Sequence, residues 1–110
     1  MTGTYLTNPI GELAQYRAAA ITATRLAIKE LERHGVEALV TGSLVDDSFS
    51  LQSDVDILIV KCPRRMKYAL EGIVEDALDP IPFDVVYVEE IPTRKLHSFV
   101  DKARRVQDLD

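Results

Sequence analysis

The chain has 110 residues, 46% of them hydrophobic and 28% charged, with a formal net charge of -5. That composition reads as a single soluble domain spanning 1–110, long enough to bury one core and too apolar to stay disordered. The excess of 18 Asp and Glu over 13 Lys and Arg argues against general nucleic-acid binding, which needs many cations facing phosphates, and a lone cysteine, Cys62, excludes an internal disulfide framework and a multi-cysteine zinc site.

The start, Met1 to Pro9, has no basic stretch and no apolar run of the kind a leader carries. Nowhere does an apolar run approach the roughly 18 residues of a membrane span. The expectation is a cytoplasmic chain with no membrane contact.

Asn8-Pro9 reads as an N-cap followed by proline at the first helical position. Leu13, Ile21, Ile28 and Leu31 then recur at helical spacing, with Arg17 and Thr24 as polar residues in the stripe, and Gly35 closes the helix. The pattern predicts a helix over 9–34. A short strand follows at 37–41, then Gly42-Ser43 and a polar stretch through Ser53. The β-branched run at 54–60 predicts a second strand. Pro63 opens a second helix carried by Met66, Leu70, Ile73, Val74, Ala77 and Leu78 and broken at Asp79-Pro80. Residues 83–88 predict a third strand. A last helix from Pro92-Thr93 carries the stripe Leu96, Phe99, Val100, Ala103 and Val106.

A βαβ crossover makes strands two and three parallel. The short link between strands one and two favours an antiparallel pair. The fold class expected is α/β (α+β), a small mixed β-sheet flanked by helices.

Three aspartates stand where strands disfavour them. Asp54 and Asp56 lie two apart at the start of strand two, on one face. Asp84 repeats the anomaly at the start of strand three. With strand one antiparallel to the others, all three meet Gly42-Ser43 at one end of the sheet. Singly, each aspartate fits a loop cap or an ion pair; their convergence favours a function. Three neighbouring carboxylates raise each other's pKa unless a counter-ion is present. Mg²⁺ binds one or two carboxylates together with water and phosphate oxygens, and a Gly-Ser turn offers N–H groups and a hydroxyl to a phosphate tail.

Gly42-Ser43, ten intervening residues, Asp54-Val-Asp56 and a later strand Asp84 resemble the DNA polymerase β-like nucleotidyltransferase superfamily. The ten-residue gap, Ser53 before Asp54 and the small size are similar to its minimal nucleotidyltransferase (MNT) branch. The resemblance covers roughly residues 36–90. It implies a Mg²⁺-dependent enzyme, with two ions, that transfers AMP from ATP to a hydroxyl. Asp54 and Asp56 would ligate the metals, and Asp84 would ligate the second metal or activate the acceptor. Gly42 and Ser43 would hold the β- and γ-phosphates. Minimal members often accompany HEPN-type toxins and silence them by adenylylating a tyrosine, so the implied partner is a HEPN-like protein; self-association stays open.

One departure bears on this. Many minimal members carry basic residues just after Gly-Ser, whereas here Asp46 and Asp47 follow. Lys61, Arg64, Arg65 and Lys67 either compensate for them or form a solvated helix start. Two alternatives stand beside the partner-modifying enzyme: a catalytically silent fold that only binds its partner, and an aminoglycoside-type adenylyltransferase acting on a small molecule. His34, His97 and Cys62 read as structural, and the four tyrosines as packing or surface residues.

Overall fold

The computed structural model describes residues 9–109; the expected N-cap Asn8 lies outside them. Helix α1 spans Pro9–Arg33, strand β1 Glu37–Thr41, strand β2 Val55–Lys61, helix α2 Leu70–Leu78, strand β3 Phe83–Tyr87 and helix α3 Thr93–Lys102. Single 3₁₀ turns occupy Gly42–Leu44, Arg64–Met66, Val88–Glu90 and Val106–Asp108.

The sheet order is β1-β2-β3, with β1 and β2 antiparallel and β2 and β3 parallel. This is the α+β architecture expected from the order of elements. Opposed residues point to the same face. Ala38, Ile59 and Tyr87 form one cross-strand row and Val40, Ile57 and Val85 the next. This face packs on Ala20, Ile21, Ile28 and Leu31 of α1 and on Leu70, Val74 and Leu78 of α2, all buried. Helix α1 ends as its sequence dictates: Gly35 takes φ 82°, and the Val36 N–H reaches back to the Leu31 carbonyl at 3.0 Å. Thr24, polar within the stripe, is fully buried and donates its hydroxyl to the Ala20 carbonyl at 2.6 Å.

Several boundaries differ from the sequence reading: α1 ends at Arg33, β2 at Lys61 and β3 at Tyr87, each one residue from the expected bound, and three further differences have a structural cause or consequence. Strand β2 begins at Val55, so Asp54 stands just outside it. The second helix begins at Leu70 rather than after Pro63, because the chain turns at Tyr68, whose φ is 67°. The Tyr68 N–H donates to the Tyr87 hydroxyl at 2.9 Å, a contact that holds the non-helical conformation. Helix α3 stops at Lys102, because Arg104 is extended and forms an antiparallel bridge with Val40, two N–H···O bonds of 2.8 Å each. Ala103 and Val106 are buried as expected, but Ala103 from this extended segment and Val106 from the 3₁₀ turn after it. Leu96 and Phe99 are half-buried, and Val100 is exposed.

Leu31 tests the core directly. It is fully buried between α1 and the sheet. Replacing it with alanine is expected to lower stability by about 2–5 kcal/mol through lost contact and a residual cavity, read as a shifted urea midpoint at unchanged slope.

Candidate active site

The opposite face of the sheet carries the anomaly. At its end, Thr41, Asp56 and Asp84 stand opposite one another in a single cross-strand row. Asp56 is half-buried, while Asp84 and Asp54 are exposed. Burial pushes the Asp56 carboxyl above the ordinary carboxylate range, and the negative charges of Asp84 and Asp54 push it further. Among the described residues, no cation offsets the two neighbours at Asp56.

Strand β1 delivers the turn to this row. Immediately after Thr41, Gly42 takes φ 77° and opens the 3₁₀ turn, which closes by the Val45 N–H donating to the Gly42 carbonyl at 3.0 Å. The Asp56 carboxylate packs against the Gly42 α-carbon. A β-carbon there would overlap the carboxylate oxygen and lie 3.0 Å from its Cγ. Gly42 is thus required twice, by backbone conformation and by the space Asp56 occupies. Ser43 follows within the turn, half-buried.

The two acids after the turn are held within their own surroundings. Asp46 accepts from both the N–H and the hydroxyl of Ser48, which lower its pKa. Asp47, at φ 66°, lies 3.9 Å from the Arg17 guanidinium. Arg17 also donates to the Leu44 carbonyl at 3.3 Å, so a residue of α1 pins the Gly42–Leu44 turn from behind. The sequence showed Arg17 only as a polar member of an apolar stripe. Its partner stands 27 residues away, beyond any local signal.

The cluster Lys61, Arg64, Arg65 and Lys67 does not compensate for these acids. Lys61 ends β2, whose second residue is Asp56, so the cluster lies at the far end of the sheet, roughly 16 Å away at the rise of a strand. There Lys67 pairs with Glu89 and Glu90 and lies over the Tyr68 and Tyr87 rings. The Tyr87 hydroxyl donates to Glu71 at 3.1 Å, and its pKa is pushed up to about 12, mainly by burial. His97 is exposed and 2.9 Å from Asp101, one helical turn on, and His34 stands 3.4 Å from Glu30. The Cys62 thiol donates to the Pro63 carbonyl at 3.2 Å, and burial pushes its pKa up. None of these belongs to the aspartate row.

The donor set at the row is all oxygen, which suits a hard divalent cation. Among the described residues, no group of three or more His, Cys, Asp or Glu side chains is placed to hold a metal ion by itself. The fit is to an ion that completes its shell with water and phosphate oxygens, the manner in which Mg²⁺ is bound beside nucleotides.

The family described as "Nucleotidyltransferase domain" matches residues 21–106, which include the turn, the whole sheet and all three aspartates. The chain belongs to this nucleotidyltransferase family, and its chemistry is nucleotidyl transfer in general. A search of curated proteins finds no match.

Two variants read the site without any ligand. Gly42→Ala places a β-carbon into the Asp56 carboxylate at positive φ, and is expected to cost about 2 kcal/mol or more, measured by urea unfolding. Asp56→Asn is expected to leave the metal-free melting temperature level or raised at neutral pH. The sign follows from the raised pKa: the folded state binds the Asp56 proton more tightly than the unfolded state, so stability falls as pH rises from the unfolded pKa through the folded one. The advantage of the Asn variant should therefore fade as pH drops below the ordinary carboxylate range, in melts taken across that window.

Proposed function

We propose that the chain is a Mg²⁺-dependent adenylyltransferase that moves AMP from ATP to a hydroxyl of a partner protein in the cytoplasm, a tyrosine of a HEPN-type toxin in the reading its sequence resemblance favours. The observation that carries this is the row of Asp56 and Asp84, with Asp54 beside it, facing a turn that opens on Gly42.

Asp54 and Asp56 would hold the ions. Mg²⁺, when bound with the nucleotide, supplies Lewis-acid polarisation of the phosphoryl oxygens. Gly42 and Ser43 would orient the β- and γ-phosphates so that the α-phosphorus faces the acceptor. The acceptor oxygen forms a bond to that phosphorus, the bond to the bridging oxygen breaks, and pyrophosphate leaves. Asp84, the exposed member of the row, is placed to take the acceptor's proton or to hold a second ion. In such transfer, positioning and charge stabilisation supply most of the rate. The exposure of Asp54 and Asp84 leaves one side of the site open, which suits an acceptor presented by a macromolecule better than a small molecule that the site itself must enclose.

Calorimetric titration with ATP should give binding that requires Mg²⁺ and disappears with chelator. Co-expression with a HEPN-type partner should give a complex in which that partner carries the added mass of AMP. Asp56→Asn should cut transfer by about 10²–10³-fold. An ATP heat that is absent or indifferent to Mg²⁺ would instead mark a fold that only binds its partner.

A further inference from the structure

The turn after Gly42 lacks basic residues, and the cluster that follows β2 lies at the wrong end of the sheet. A nucleoside triphosphate carries several negative charges, so the cations it needs must come from elsewhere. The structure brings two of them to the turn from the C-terminal part of the chain.

A cleft of about 520 Å³ lies between the Gly42 turn and α3, lined by Thr41, Gly42 and Asp46 on one side and by Asp101, Lys102 and Arg104 on the other. The bridge between Arg104 and Val40 fixes this far wall, because it ties Arg104 to the residue next to Thr41. The charges within the cleft are not equally engaged. The Asp46 carboxylate accepts from Ser48 and feels the positive charge of Lys102, and the Asp101 carboxylate lies 2.9 Å from His97. Neither Lys102 nor Arg104 has a carboxylate within 4 Å among the described residues. The Arg104 guanidinium donates to the carbonyls of Asp101 and Ala103, each at 2.9 Å, which orients it without neutralising it.

We propose that this cleft seats the polyphosphate of the nucleotide donor, with Lys102 and Arg104 as the cations that bind it. The inference rests on the adenylyltransferase reading and adds to it the residues that carry the donor's charge. The aspartate row handles the α-phosphorus end, and the C-terminal cations hold the β- and γ-phosphates against the Gly42–Ser43 turn. Lys102 is exposed and, among the described residues, has no carboxylate within 4 Å, so its replacement separates binding from folding.

The test uses the intact chain with three probes, Mg²⁺-ATP, AMP and inorganic tripolyphosphate, each titrated calorimetrically. Lys102→Glu should weaken Mg²⁺-ATP and tripolyphosphate binding about tenfold or more, the effect of losing one charge-assisted contact and adding a repulsion. AMP binding and the ligand-free melting temperature should stay close to wild type. Arg104→Gln should act in the same direction on the same two probes. If the wild type binds Mg²⁺-ATP and Lys102→Glu binds it equally well, the assignment of the cleft is overturned while the adenylyltransferase reading stands. If the wild type does not bind Mg²⁺-ATP at all, that reading falls and the cleft assignment with it.

Discussion

The close approach of the Gly42 backbone to the Asp56 carboxylate governs the rest of this molecule. It needs a residue without a β-carbon at positive φ. It also needs the antiparallel register that ends β1 opposite Asp56, and the parallel register that places Asp84 on the far side of the same carboxylate. A slip of one residue in either strand pair would turn the aspartates to the core face, where Val40, Ile57 and Val85 now pack. The buried face therefore specifies the site: apolar rows against α1 and α2 lock the register, and the register assembles the carboxylates.

This arrangement carries a built-in tension. Half-burial and two like-charged neighbours disfavour the ionised form of Asp56, so the fold brings these carboxylates together at an electrostatic cost. Strain of this kind is tolerated because the surrounding structure is firmly packed. Val55 and Ile57, which flank Asp56 in sequence, are both fully buried, so the backbone beneath the site is held from the opposite face.

Much of this was legible in the sequence, for reasons that are local. The α1 stripe, the β-branched run of β2 and the glycine at 35 each act within a few residues, so periodicity and turn chemistry reveal them. The aspartates were legible because they violate local preference and because the strand order brings them to one end of the sheet. What escaped was set at a distance. The late start of α2 depends on Tyr68 bonding to a hydroxyl on β3, and the early end of α3 depends on Arg104 pairing with β1. The role of the basic cluster Lys61, Arg64, Arg65 and Lys67 stayed open in the sequence, because nearness along the chain does not fix nearness in space. A strand of seven residues carried it to the other end of the sheet. Arg17 stood out as polar in an apolar stripe, but the turn it pins could not be named without the fold.

The C-terminal segment joins two tasks that the sequence kept apart. An outer strand such as β1 exposes unpaired backbone groups that invite association, and the Arg104 bridge to Val40 covers part of that edge. The same bridge forms one wall of the cleft beside Gly42. Helix α3, which precedes it, buries none of its residues, so the wall is held at its end and only loosely along its length. The floor of the site lies on the opposite extreme, on strands whose buried neighbours are fully excluded from solvent. Elements that contact a ligand are commonly drawn from the least buried parts of a fold, because they must yield to admit it. A rigid floor fixes the geometry of the carboxylates, while the wall beside it is lightly packed. The division follows from packing alone: the residues that make the sheet stable are those that aim Asp56 and Asp84, and α3, which adds little burial, is free to face the solvent side of the site.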